Sequence, residues 1–127
     1  LFVSEADSQS NTLQGVGRSD APAVFSSSVT VPVCTFEDIL NEIGWEEVDV
    51  AKLDCEGCEY AIFSSASDES LRRVKVWIME FHDGSERILR RLQALKYEVE
   101  YEEQPDKIGM LKAWLPGATL PWLPPQD

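Results

Sequence analysis

The stretch "KLDCEGCE", residues 52 to 59, gathers three carboxylates (Asp54, Glu56 and Glu59) and two cysteines (Cys55 and Cys58) around Gly57. A second polar group, Glu80, His82 and Asp83, closes the apolar run "VKVWIMEFHD", and His82 is the one histidine of the chain. Three chemistries use such residues at such spacings. Cys55 and Cys58 form a C-x-x-C between a strand-like and a helix-like segment, where the helix dipole would favour a reactive thiolate. The neighbouring acids oppose that use, because negative charge raises a thiol pKa; the plain alternative is a pair of small core thiols. Zinc could draw on Cys55, Cys58, Cys34 and His82, but these supply one close ligand pair where zinc modules carry two. Acid, base or hard-metal chemistry would use Asp54, Glu56, Glu80 and His82, against the plain alternative of solvated strand ends with a histidine at a turn. Spacing alone leaves all three open.

The segments that carry these groups read as an alternation. "VDVAKLD" is nearly continuous in apolar character, which predicts a parallel strand buried on both faces, and "EYAIFSSA" restarts helical spacing directly after it. "VKVWIMEFH" repeats the strand, and "SERILRRLQALKY" repeats the helix with Ile88, Leu89, Leu92 and Leu95 inward. Upstream, "VFSSSVTVPV" alternates and is β-branched; Pro32 cannot donate to a central ladder, so an edge strand or hairpin arm is expected. Thr35 then caps a helix with Asp38 three residues on, Phe36, Ile39, Leu40 and Ile43 share one face, and Gly44 stands where a left-handed stop belongs. "YEVEYEEQ" and "IGMLKAWL" flank Pro105, Asp106 and Lys107 as two hairpin strands, with Glu98, Glu100 and Glu102 toward water. The tail "PGATLPWLPPQD" is too rich in proline for either regular element.

Strand, helix, strand, helix and hairpin predict an α/β layer with at least two parallel strands and right-handed crossovers. In open α/β sheets the functional crevice lies beyond the carboxyl ends of the strands. Both apolar strands end in polar chemistry, so as neighbours about 4.8 Å apart they would bring Asp54, Glu56, Glu80 and His82 into one crevice. Carboxylates crowded there should raise a carboxyl pKa, favour protonated His82, or recruit a cation.

Composition sets the outer bounds. At 127 residues and 43% hydrophobic content the chain suits one core. Lys+Arg 11 against Asp+Glu 23 gives a formal charge of -12, which repels nucleic acid and acidic membrane surfaces. The run "VKVWIM" is far short of the roughly 20 residues a bilayer helix needs, and no basic-then-apolar leader opens the sequence, so a soluble protein is expected. Three cysteines cannot all pair within the chain, which favours a reducing, cytoplasmic compartment. Residues 1–28 read as a strand and polar loop, 29–115 as the α/β core and 116–127 as a proline-rich tail. Gly15 and Gly17 lack the third glycine and the flanking elements of a nucleotide loop.

Three segments, "VPVCTFEDILNEIG", "VDVAKLDCEGCEYAIF" and "VKVWIMEFHDG", resemble the FkbM family of S-adenosylmethionine-dependent methyltransferases. That family runs as a V-x-V-x-T-hydrophobic-x-D lead-in, a D-[ILV]-hydrophobic-K-[ILV]-D-[ILV]-E-G-x-E strand-to-helix turn, and a strand closing in E-hydrophobic-H. Lys52, Asp54, Glu56, Gly57 and Glu59 match the turn, and Glu80 with His82 matches the strand end. The resemblance covers roughly residues 29 to 103; Cys55 and Cys58 depart from the aliphatic and small residues usual there, which favours an incidental C-x-x-C.

The resemblance implies the carboxyl-terminal half of a Rossmann-like class I methyltransferase sheet, with parallel strands, crossover helices and a terminal antiparallel hairpin. It implies methyl transfer to a small-molecule or carbohydrate hydroxyl, with Asp54 or His82 as base and Glu56 and Glu80 beside them. The glycine-rich cofactor loop of such enzymes is missing from the sequence, so S-adenosylmethionine is expected to be bound mainly by residues upstream of Leu1, and a divalent metal is left open. The competing expectation is a degenerate, non-catalytic half whose Trp114, Trp122 and tail dock onto a partner.

Overall fold

A computed structural model of the chain describes residues 2–4 and 25–122; the polar loop at 6–22, with Gly15 and Gly17, and the last residues of the tail lie outside the described residues. Strands β1 (Phe2–Ser4) and β2 (Phe25–Ser28) pair antiparallel as a small sheet. The β-branched run therefore supplies a hairpin-like arm, but its regular structure stops at Ser28, ahead of Pro32.

The main sheet holds β3 (Val48–Leu53), β4 (Val74–Phe81), β5 (Glu98–Glu103) and β6 (Gly109–Trp114) in the order β3-β4-β6-β5. β3 and β4 are parallel, and the β4–β6 and β5–β6 pairs are antiparallel. The molecule is thus α/β, with a mixed and mostly antiparallel sheet and one parallel pair. The helices are α1 (Phe36–Ile43), α2 (Cys58–Ser65), α3 (Asp68–Arg72) and α4 (Glu86–Ala94). No helix among the described residues is long and apolar enough to cross a membrane.

β4 is the centre of the core. Val74, Val76, Trp77, Met79 and Phe81 are all fully buried, and Phe63, Leu71, Ile88, Leu92, Leu111 and Ala113 close around them. The Trp77 ring lies 5.5 Å from Phe36 and 5.0 Å from Phe63, so α1 and α2 both anchor on it. The expectation that "VDVAKLD" is buried on both faces is corrected: β3 is an edge strand in the sheet order, and Asp49, Val50 and Lys52 are exposed. Its apolar run reflects what the sequence offers, whereas strand order decides what is covered.

The helix starts follow local chemistry. Thr35 and Asp38 form the expected capping box: the Thr35 hydroxyl accepts from the Asp38 N–H at 3.1 Å, and the Asp38 carboxylate accepts from the Thr35 N–H at 2.9 Å. Of the anticipated α1 face, Leu40 is buried and Phe36 packs on the core, while Ile39 and Ile43 remain exposed. The short α3 is an addition that the hydrophobic period did not announce; its Ser67 cap accepts from the Ser70 N–H, and it drives Leu71 into the core. At the start of β6, a Cβ on Gly109 would lie 2.1 Å from the Glu102 carbonyl oxygen and 2.4 Å from the Phe81 ring, so only glycine fits between the neighbouring strands. Trp114 donates its indole N–H to Glu98 at 2.9 Å and meets Trp122 edge-on at 6.0 Å, so these two tryptophans pack on each other and on the hairpin.

Candidate functional site

The parallel pair sets the site. Leu53 stands opposite Met79 in the register, so the residues that follow, Asp54 just past the end of β3 and Glu80 near the end of β4, stand at the same level. Asp54, Glu80 and His82 each offer a ligand atom within 4.8 Å of one another. Glu56 reaches the same place, its Oε2 lying 3.3 Å from His82 Nε2. All four residues singled out from the sequence therefore meet at one crevice. Lys52 sits at its rim, 3.5 Å from Asp54, and both side chains are well exposed, so their attraction is weak.

A left-handed turn directs Glu56 back toward β4. Glu56 has φ 52 and Gly57 has φ 107. Glycine adopts that geometry freely, whereas for glutamate it costs of the order of 1 kcal/mol. The turn leads into the first turn of α2, where Glu59 is completely buried. Its Oε2 accepts the Gly57 N–H at 3.0 Å, and its Oε1 lies 2.9 Å from His82 Nδ1. An ionised carboxylate only accepts, so the imidazole donates Nδ1–H to Glu59.

His82 is itself enclosed, with 8% of its side chain exposed. The hydrogen bond it donates to Glu59 holds its pKa above the ordinary histidine value; burial opposes this, and the charges of Glu59, Glu56 and Glu80 add to the rise. This direction agrees with one of the responses expected from crowded carboxylates, a firmer hold on the His82 proton. Nε2 is buried and has no hydrogen-bond partner; Glu56 lies at ion-pair distance without hydrogen-bond alignment.

Glu59 is the residue that sequence reasoning left out of the site. It matched the family turn, but an acid in a helix's first turn reads equally well as a complement to the helix dipole. Tyr60 was missed as well. Its hydroxyl accepts the Asp83 N–H at 2.7 Å and donates to the Gly84 carbonyl at 2.9 Å, which ties the loop after β4 to α2, and burial pushes its pKa up. Arg87 stacks 4.4 Å over the Tyr60 ring and bonds Asp83 at 2.7 Å.

Cys55 and Cys58 are joined as a disulfide, which replaces the expectation of two free core thiols. A disulfide sulfur carries no proton, so the 3.4 Å approach of Cys55 Sγ to Glu59 Oε2 is a contact rather than a hydrogen bond. The zinc set does not assemble: Cys34 is exposed and belongs to neither cluster of candidate ligands among the described residues. A groove of about 530 Å³ between α2 and α4 lies apart from the acidic crevice. Its Arg87, Arg90 and Arg91 are engaged by Asp83, Glu86 and Asp68.

A family model described as the methyltransferase FkbM domain matches residues 2–108 of the chain. Comparison with curated proteins and with solved structures found no match.

Proposed function

The chain belongs to the FkbM methyltransferase family, and from that premise we propose that it is part of an S-adenosylmethionine-dependent enzyme that methylates a hydroxyl of a small molecule or carbohydrate. The observation that carries the reading is the meeting of Asp54, Glu56, Glu80 and His82 at the carboxyl ends of two parallel strands. Transfer of this kind breaks the bond between the sulfonium sulfur and the methyl carbon, forms a carbon–oxygen bond, and requires the acceptor hydroxyl to give up one proton. Asp54 is a partly exposed carboxylate at the crevice mouth and is the natural recipient of that proton. His82, whose Nδ1–H is held by the buried carboxylate of Glu59, suits positioning Glu56 and the acceptor. S-adenosylmethionine is the methyl donor that the family implies.

The test is methyl transfer from radiolabelled S-adenosylmethionine to a panel of sugars and small alcohols, using the complete protein that contains this chain. Asp54→Asn keeps the shape and removes a charge and an acceptor; kcat should fall at least about tenfold, which is about 1.4 kcal/mol of barrier. Transfer confined to nitrogen or carbon acceptors would overturn the hydroxyl reading. An unchanged kcat in Asp54→Asn would remove Asp54 from the chemistry.

A further inference from the structure

We propose that Asp54, Glu80 and His82 form a binding site for a divalent transition-metal ion, with Mn²⁺ the best match, and that Glu59 is the residue that positions the imidazole for it. Two separate observations carry this. The first is the donor set, three ligand atoms within 4.8 Å of one another. Ligands about 2.1 Å from one such ion lie about 3.0 Å apart when adjacent and about 4.2 Å apart when opposite, so from within 4.8 Å the three would close on the ion by movements of up to about 2 Å.

The second observation is the state of His82. Its side chain is 8% exposed, yet Nε2 is buried and has no hydrogen-bond partner. A buried polar nitrogen left this way calls for an occupant. Nδ1–H is committed to the buried carboxylate of Glu59 at 2.9 Å, so Nε2 is the coordinating position, and the ion binds there in place of the Nε2 proton, with release of that proton to solvent. Metal-binding histidines are oriented in the same way, by a carboxylate behind the ring. Glu56 Oε2, 3.3 Å from Nε2, stands beside the ion as a further ligand or as its counter-charge.

The donor chemistry selects the class of ion. Two carboxylates and one imidazole are too nitrogen-rich for Ca²⁺ and lack the thiolates of a structural zinc site, because Cys55 and Cys58 are paired with each other. Mn²⁺ accepts mixed oxygen and nitrogen ligands in octahedral geometry and would keep open positions on the exposed Asp54 side for water or an oxygen ligand. The inference does not rest on methyl transfer, since the ion can be detected without turnover.

The experiment strips the complete protein with EDTA, then titrates it with Mn²⁺ while following the free-ion electron paramagnetic resonance signal. One saturable ion per chain is expected, with Kd below about 100 μM. His82→Ala and Glu80→Gln should each weaken binding at least tenfold, and Glu59→Gln should weaken it by about 10- to 100-fold through ring orientation alone. Glu100→Gln, on the exposed face of the hairpin, should leave it unchanged. Electron spin-echo spectra of the unaltered protein should show coupling to one imidazole nitrogen, a signature that diffuse binding to surface acids does not give. That signal decides the matter even where a variant fails to fold. Failure to saturate at about 1 mM Mn²⁺, or bound Mn²⁺ without nitrogen coupling, would overturn the site and assign Nε2 to a proton shared with Glu56.

Discussion

Replacing Glu59 by glutamine changes one buried atom and should be read in three places at once. Glu59 accepts from two donors, the Gly57 N–H at 3.0 Å and His82 Nδ1–H at 2.9 Å, and is fully buried. An amide offers one acceptor and one donor, so it cannot serve both. The Gly57 amide cannot invert, but a neutral imidazole can. The stable arrangement therefore points the amide oxygen at Gly57, turns the NH2 toward a deprotonated Nδ1, and moves the ring proton to Nε2. What is lost is a charge-assisted hydrogen bond, worth about 1.5–3 kcal/mol, and the main cause of the raised His82 pKa.

The sign of the pH dependence follows. A group whose folded pKa is raised contributes stability fully below its unfolded value, about 6.5, and loses it as pH climbs through the folded value. The Glu59→Gln penalty should therefore be about 2 kcal/mol at pH 5.5 and should shrink toward pH 9. The assay is urea denaturation across that range, in EDTA, together with an NMR titration of the imidazole. His82 is the one histidine in the sequence, so within this chain its resonance needs no assignment. The unaltered protein should titrate above the ordinary histidine value and the variant lower, with about 1.4 kcal/mol for each unit of change. A midpoint at or below the ordinary value, or one unmoved by the substitution, would refute the assignment of Glu59 as the ionised partner.

Three further outcomes are expected. Tyr60→Phe removes both bonds that hold the loop after β4, so about 1–2 kcal/mol should disappear in urea denaturation, and hydrogen exchange at Asp83 should quicken; unchanged exchange would contradict the tie. Gly109→Ala places a methyl 2.1 Å from a backbone oxygen and should cost more than about 3 kcal/mol or abolish soluble expression, whereas a near-neutral result would mean the strands separate easily. Substituting Cys55 by alanine and Cys58 by serine should leave kcat of the complete enzyme within a few-fold, because neither sulfur has a role in the proposed transfer; loss of turnover in a folded variant would restore a thiol role.

The crevice was legible in the sequence because it depends on strand ends. Two apolar runs that both finish in acid-x-acid or acid-x-histidine deliver those groups together once the runs are parallel neighbours, and the register of Leu53 with Met79 does so. The capping box of α1 was legible for a similar reason, since all of its partners lie within four residues. Coverage was not legible. The apolar pattern of α1 and β3 names which side chains favour burial, but Ile39, Ile43 and Val50 are exposed because strand order and neighbouring elements decide what meets them. α3 escaped because five residues are too few to show a helical period.

Glu59 escaped for a deeper reason, which also explains how the site holds together. Its role depends on the φ values of Glu56 and Gly57, which curl the chain so that the first turn of α2 sits behind the imidazole rather than beyond it. The same carboxylate then accepts the Gly57 N–H and helps to hold the turn that places Glu56 in front of the ring. One buried side chain thus braces both the ring and the strained loop facing it. A buried carboxylate is tolerable here because the Gly57 amide and the imidazole occupy its acceptor positions, and that imidazole stays in place only while the carboxylate is there. Removing Glu59 should therefore disturb His82 and Glu56 together, whereas removing Asp54, at the exposed rim, should leave both in place and change only the chemistry at the mouth of the crevice.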